Sequence, residues 1–194
     1  LAYMETKRDG EAIALEAADD RLEVVVLNPA TIMGPGRMNA SEEQLVSEIQ
    51  HRKMTAIPCG GMTVCDVADV ASAHLAALER GTSGSRYILG GHHVTHKKLV
   101  EALAEGFGVQ APRAVVPAWV LALIGGLLLW GERASIRLEV SAAMIRLSRF
   151  GIYHASNRAI EELSYSPRSF RALVDRVVAS RSLALPAQQL ITSA

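Results

Sequence analysis

The chain has 194 residues, of which 49% are apolar and 21% are charged, and this composition excludes disorder as its general state. Twenty Lys and Arg residues balance twenty Asp and Glu residues, so the chain has no net attraction for nucleic acid. Its two cysteines are too few for a disulfide scaffold or a four-Cys zinc site. We therefore expect a globular protein of a reducing, cytoplasmic compartment.

The sequence alternates helical and strand patterns along most of its length. In chain order, we predict helices over 3–18, 41–50, 66–79, 95–105, 135–149, 156–163 and 169–180, and strands over 22–27, 54–57 and 86–89. Asn28-Pro29 is expected to end the first strand, and residues 30–39 are expected to form a loop. The alternation is typical of an α/β domain with a parallel sheet.

Residues 114–131 contain no charged side chain, and their length is just at the threshold for a membrane span. Pro117 near the start and Gly125-Gly126 inside the segment favour a shorter helix, which we expect to be buried or to face a substrate. Peripheral attachment to a membrane, with Trp119 and Trp130 as interfacial anchors, is one alternative, and a true span is the other.

Tyr3 and Lys7 form the pattern with the most direct chemical meaning. Residues four apart share one face of a helix, so the phenol and the ammonium can point into the same cleft. A free tyrosine has a pKa of about 10, and a fixed cation nearby lowers that pKa because it favours the phenolate. Such a pair can pass a proton to or from a substrate oxygen. The alternative is an exposed helix with a solvated Lys7 and a half-buried Tyr3.

Four separated blocks, in the right order, resemble the second half of an extended short-chain dehydrogenase/reductase. The first is Tyr3-x-x-x-Lys7, followed by a helix, a strand and the segment NPATIMGPG at 28–36. The others are CDVADVASAH at 65–74, RYILGG at 86–91 and YHASNRAIEELSYSP at 153–167. The blocks are most similar to the branch with dihydroflavonol-reductase-like, 3β-hydroxysteroid-dehydrogenase-like and hopanoid-associated sugar-epimerase-like proteins.

The resemblance implies an α/β fold: the C-terminal part of a Rossmann-type doubly wound parallel sheet plus a small, mainly helical substrate domain. We expect residues 1–110 to be the remainder of the Rossmann-type domain with the catalytic helix and interleaved substrate-loop segments. Residues 111–182 would be the mainly helical substrate-binding portion and 183–194 a flexible tail. Because the first helix starts without a capping residue, we also expect further coding sequence before Leu1.

The resemblance also implies a role for each matching residue in a complete enzyme that uses NAD or NADP. Tyr3 would be the catalytic acid/base, and Lys7 would hold the nicotinamide ribose and lower the pKa of Tyr3. Asn28 and Arg37, in and near the loop 34–39, would face the substrate. The residues at the nicotinamide end of the cofactor would be Tyr3, Lys7, Pro29, Ala30, Thr31 and Ile32.

The implied substrate is a small molecule with a hydroxyl or a ketone, of the sugar-nucleotide, steroid or terpenoid, or flavonoid class. The net reaction stays open between oxidation, reduction, epimerisation and dehydration. The chain lacks the family's catalytic Ser and the Gly-rich turn that receives the pyrophosphate, so we expect the fragment alone to be inactive. The alternative is a truncated, non-catalytic module that binds a partner or a membrane, and a homodimer is an alternative assembly.

The remaining polar clusters have structural explanations. His92, His93 and His96 lack acidic or Cys companions at ligand spacing, so we expect a turn and an exposed helix start there and no metal. Asp66 and Asp69 resemble paired catalytic carboxylates, but they lie at a predicted helix start. Because acidic side chains cap amide groups there, capping is the favoured interpretation.

Overall fold

A computed structural model of the chain describes residues 2–36, 38–133 and 142–191. In this part of the chain, helices and strands follow one another as the sequence pattern predicted. They are α1 (Ala2–Glu16), β1 (Val26–Pro29), β2 (Thr31–Met33), α2 (Ala40–Gln50), β3 (Ala56–Pro58), β4 (Gly61–Asp66), α3 (Val67–Arg80), β5 (Arg86–Leu89), β6 (His92–Thr95), α4 (His96–Gly106), β7 (Ala114–Val116), α5 (Ala118–Arg133), α6 (Ala142–Leu147), β8 (Gly151–Ile152), α7 (Asn157–Leu163) and α8 (Phe170–Ile191).

The described strands form three small sheets. β1 pairs with β5, and β3 pairs with β7, both in parallel. In the largest sheet, the first two residues of β4 pair in parallel with β8, and its last three residues pair in parallel with β2. β4 also pairs antiparallel with β6. The predicted parallel pairing is confirmed, and the antiparallel β6 is an addition to it.

Two hydrophobic clusters hold these elements together. The first packs β2, β4 and β6 against α2, α4 and α8, with Met33, Val64, Val94, Leu99, Leu103 and Leu173 at its centre. The second packs β5 against α3 and α7 through Tyr87, Leu89, Val70, Ala73 and Leu163. Helices therefore pack against the largest sheet and against the side of β5 that carries Tyr87 and Leu89, whereas Arg86 and Ile88 of β5 are exposed.

The first strand lies later than the sequence predicted. β1 spans Val26–Pro29, whereas the apolar run placed the strand at 22–27. The N–H groups of Val26 and Ala30 both donate to carbonyl oxygens on the β5 side, so alternate residues make these bonds. Pro29 is not one of the alternate residues whose N–H groups face β5. Its missing N–H therefore removes no bond to β5, so the strand includes Asn28 and Pro29 and ends at Pro29, two residues after the predicted end.

Short strands account for most of the other differences. β2 lies inside the predicted loop 30–39, and β6 replaces the turn predicted at His92 and His93. β3 occupies Ala56–Pro58 instead of 54–57. β4, β7 and β8 were not predicted. Strands of two to six residues carry too little periodicity to be detected, because their hydrogen-bond partners lie far away in the chain.

The helix boundaries differ at two places. α2 begins at Ala40, and its N-cap is Asn39 rather than Ser41, because the Asn39 carboxamide oxygen accepts hydrogen bonds from the backbone amides of Ser41 and Glu42. α8 continues to Ile191 instead of ending near 180, so most of the backbone over 183–194 is helical. The Leu, Ala and Gln residues there favour a helix despite one proline.

The uncharged segment forms most of α5, and α5 is not buried, so the alternative that it faces a substrate is the one that stays a prediction. Trp119, Leu123 and Leu127 are 71%, 58% and 66% exposed, whereas Leu121 is 3% exposed. Within the described ranges, no helix combines the length and the apolar character needed to cross a bilayer. The helix predicted over 135–149 falls partly outside the described residues, and α6 is its described part.

Candidate functional site

The proposed catalytic pair lies on α1. Its backbone is helical at Tyr3 and at Lys7, so their spacing of four residues places them on one helix face. Glu11 follows Lys7 by another four residues and continues that face toward the end of the helix. Arg37, which was predicted to face the substrate, lies outside the described residues.

Glu11 connects α1 to two strands. One of its carboxylate oxygens accepts a hydrogen bond from the Asn28 amide group of β1 at 3.3 Å. The other accepts from the guanidinium of Arg86, the first residue of β5. The carboxylate therefore links the helix with the Tyr3–Lys7 pattern to the parallel pair β1–β5. Sequence reasoning missed this contact, because Arg86 lies 75 positions from Glu11 in the chain.

The side-chain amide of Asn28 contacts α1, where it donates to Glu11. That Asn28 faces the substrate, as the resemblance implies, stays a prediction. Asn28 is half-buried at this position. This hydrogen bond connects α1 to the carboxyl-terminal part of β1.

The segment 29–32 lies at the end of β1 and the start of β2. Its residues are half-buried, and three of the four are apolar. The Ala30 amide donates to the Leu89 carbonyl oxygen at 3.0 Å, and the Thr31 carbonyl oxygen accepts from the Cys65 thiol at 3.6 Å. The backbone is therefore held from both sides at the carboxyl end of a parallel strand. Ligands of open parallel α/β sheets bind at such ends.

A groove of about 660 Å³ lies between α2 and α8. It is lined by Gly36, Met38, Ala40, Glu43, Gln44, Ser47 and Arg181. Gly36 and Met38 belong to the loop that was expected to face the substrate. At the other side of the groove, the Arg181 guanidinium donates to both carboxylate oxygens of Glu43. These two residues are far apart in sequence, and no sequence signal indicated their pairing.

Asp66 and Asp69 belong to a buried ion network. Asp66 caps α3 by accepting from the Ala68 amide at 2.7 Å, as predicted, and it also accepts from Arg176 at 2.9 Å. Asp69 accepts from the backbone amide of Arg168 at 2.8 Å and from its guanidinium. Both aspartates therefore have cationic partners from α8 or the loop before it, which explains their burial without a catalytic role.

The thiol of Cys65 is buried in the second hydrophobic cluster. Burial, and to a smaller extent the nearby Asp69 carboxylate, raises its pKa to about 12. The group is thus a neutral thiol at physiological pH and not a nucleophile.

The three clustered histidines make separate contacts. The His92 ring lies 2.6 Å from the Arg168 carbonyl oxygen, and the His93 ring lies 3.1 Å from that of His154. Burial lowers the pKa of His96. No group of three His, Cys, Asp or Glu side chains arranged for a metal occurs among the residues that the structure describes.

Comparison with known proteins agrees with this arrangement. Residues 2–90 match the model of the NAD dependent epimerase/dehydratase family. This segment belongs to that family. A Synechocystis protein whose assigned name is dihydroflavonol 4-reductase is 30% identical over 187 residues, which cover 91% of this chain and 53% of that protein. Sterol demethylase protein B of Methylococcus capsulatus is 29% identical over 184 residues, 91% of this chain and 55% of that protein.

A solved structure extends the likeness to the fold. A nucleoside-diphosphate-sugar epimerase from Pseudomonas aeruginosa is 27% identical, with a TM-score of 0.73 over 93% of this chain and 55% of that one. This confirms the expected fold class, the carboxy-terminal part of a Rossmann-type α/β fold with a helical addition. The chain spans about half the length of the curated relatives it matches.

Proposed function

We propose that the chain supplies the catalytic helix and the nicotinamide end of the cofactor site to an NAD- or NADP-dependent enzyme. The enzyme would be an oxidoreductase or epimerase that acts on a carbon with a hydroxyl or a ketone. The observation that carries this proposal is the connection of α1, the helix with the Tyr3–Lys7 pattern, through Glu11 to β1 and β5. The family match of residues 2–90 supports it.

In this proposal, the Tyr3 phenol gives its proton to, or takes it from, the substrate oxygen. Lys7 has two functions, because its ammonium lowers the pKa of the Tyr3 phenol and donates hydrogen bonds to the nicotinamide ribose. The dinucleotide, when bound, supplies or accepts the hydride. Asn28 and Arg37 face the substrate in this scheme, and Glu11 links α1 to β1 and β5.

The residues present fit one end of the dinucleotide. Pro29, Ala30 and Ile32 offer apolar surface at the carboxyl end of β1, and Thr31 offers a hydroxyl. Such a set suits the flat, uncharged side of a nicotinamide ring. The pyrophosphate needs a glycine-rich turn before a helix N-terminus, which the sequence lacks. We therefore assign only the nicotinamide end to this chain.

The groove between α2 and α8 is our candidate for part of the substrate site, because the expected substrate loop lines it. Its lining combines a methionine and an alanine with the Glu43–Arg181 ion pair. This mixture suits a small molecule with an apolar body and polar substituents. Sugar-nucleotide, steroid or terpenoid, and flavonoid-like substrates all meet that description. A cytoplasmic location is part of the same proposal.

A second candidate function is a non-catalytic module that attaches to a membrane. The exposed apolar face of α5 favours it, since this face has no catalytic use in the scheme above. The two candidates differ in one measurable property. Consumption of NADH or NADPH that depends on a carbonyl substrate and is lost in Tyr3→Phe is expected only of the enzyme.

The Glu11→Gln variant tests how α1 is positioned. The neutral amide keeps the shape of the side chain but loses the ion pair with Arg86, which is partly solvent-exposed. We expect the backbone amides of α1 to exchange hydrogen about fivefold faster, which corresponds to roughly 1 kcal/mol for a partly exposed pair. Hydrogen exchange followed by mass spectrometry measures this change.

Glu5→Gln is the matched control for that experiment, because Glu5 is an exposed acidic residue on the same helix. Its exchange profile should equal that of the unmodified chain. Equal acceleration in both variants would show that Glu11 acts only through the general charge of the helix.

A further inference from the structure

α5 presents a continuous apolar stripe to solvent. Trp119, Leu123 and Leu127 follow one another at intervals of four residues, and each is more than half exposed. Val115, in the strand just before the helix, and Ile124 are also exposed, at 42% and 39%. Residues at this spacing share one helix face, so the exposed apolar groups form one surface.

The segment of sequence that contains this stripe is basic. The segment 112–150 contains five arginines and two glutamates, a net charge of +3 within a chain of net charge zero. Two of these arginines, Arg113 before α5 and Arg146 on α6, are exposed in the structure. Because α6 packs against α5, Arg146 belongs to the same small unit as the apolar stripe.

We propose that α5 binds the surface of an anionic lipid bilayer, with its apolar stripe at the level of the acyl chains and the flanking arginines at the headgroups. An apolar helix face with basic residues around it is the pattern that binds such interfaces. The helix lies in the plane of the surface. Its 16 residues measure about 24 Å, less than the roughly 30 Å of a hydrocarbon core.

Charge favours a bilayer over a second copy of the chain as the occupant. Two copies that meet through this face would bring two segments of charge +3 together. An anionic bilayer instead offers negatively charged headgroups to the arginines and an apolar layer below them to Trp119 and the leucines. This inference is independent of the catalytic proposal, since none of its residues is assigned a catalytic role.

Both tryptophans of the chain, Trp119 and Trp130, are in α5, so intrinsic fluorescence reports on this segment alone. The experiment titrates the purified chain with vesicles of phosphatidylcholine that contain phosphatidylglycerol, and with vesicles of phosphatidylcholine alone. We expect a blue shift and co-sedimentation with the anionic vesicles, both reduced by high salt. Replacing Arg113 and Arg146 with Gln should weaken binding, by roughly fivefold for each arginine.

The apolar part is tested by the double variant Leu123→Gln and Leu127→Gln, which should lose at least roughly tenfold in vesicle affinity. The control is Leu75→Gln with Leu78→Gln, since these leucines are also exposed, on α3. Circular dichroism verifies that each variant is folded. Equal binding to neutral vesicles, no binding to anionic ones, or unchanged binding of the α5 variant would overturn the proposal. Self-association that the α5 variant abolishes would also overturn it and assign the face to a second copy.

Discussion

Replacing Tyr3 with phenylalanine should lower the turnover of a complete enzyme that contains this chain by roughly 10²–10⁴-fold, the usual contribution of a positioned acid or base. The ring remains, so dinucleotide affinity should change little. Steady-state kinetics with a carbonyl or hydroxyl substrate measures both quantities. Tyr153→Phe is the control, because Tyr153 is a half-exposed tyrosine outside α1 and should retain full turnover.

Lys7→Ala separates the two functions assigned to Lys7. We expect a loss of turnover, because the pKa of the Tyr3 phenol rises when the cation is removed, and a weaker affinity for the dinucleotide. The pH at which the rate reaches half of its maximum should move upward for the same reason. Turnover of Tyr3→Phe near that of the unmodified enzyme would remove Tyr3 from the mechanism.

The Asp66→Ala variant should have the largest effect on stability. The Asp66 carboxylate is 1% exposed, caps α3 and pairs with Arg176 at 2.9 Å and Arg168 at 3.8 Å. Its removal takes the acceptor from the amide of Ala68 and from the Arg176 guanidinium, whereas the Arg168 guanidinium keeps Asp69. We expect the free energy of unfolding to fall by about 2–4 kcal/mol. This loss is smaller than the largest losses known for fully buried ion pairs, because both guanidinium groups are partly exposed.

Chemical denaturation measures this loss, and two further variants identify its cause. Asp66→Asn retains a capping side chain and loses the charge, so it should fall between Asp66→Ala and the unmodified chain. Asp175→Asn removes an exposed carboxylate that lies 3.9 Å from Arg171 on α8, and it should cost no more than about 0.5 kcal/mol. Equal losses for Asp66→Ala and Asp175→Asn would contradict the role of the buried network.

The sequence predicted those helices and strands whose limits depend on residues nearby in the chain. α3 and α4 begin where Asp66 and Thr95 cap them, and β5 lies where a short apolar strand was expected. β2 and β6 were missed, because a strand of three or four residues depends on its neighbour β4, which lies elsewhere in the chain. β1 lies later than predicted for the same reason, because its register with β5 fixes where it starts.

The contacts of the candidate site were predictable from the sequence to the same limited extent. The Tyr3–Lys7 pattern and the capping role of Asp66 depend on neighbours within one helix turn, so the spacing indicated them. The contacts of Glu11 with Arg86 and of Glu43 with Arg181 join residues 75 and 138 positions apart. Such pairs are set by the packing of helices on sheets, and no single-sequence pattern contains that information.

Titration with NADH and NADPH, followed by nicotinamide fluorescence, tests the assignment of the cofactor site most directly. The purified 194-residue chain and a complete enzyme that contains it are titrated side by side. We expect saturable binding by the complete enzyme and none by the chain alone, because the pyrophosphate contributes most of the dinucleotide's affinity at a glycine-rich turn that the chain lacks. Saturation of the chain alone at micromolar concentration, or no binding by either protein, would contradict this assignment.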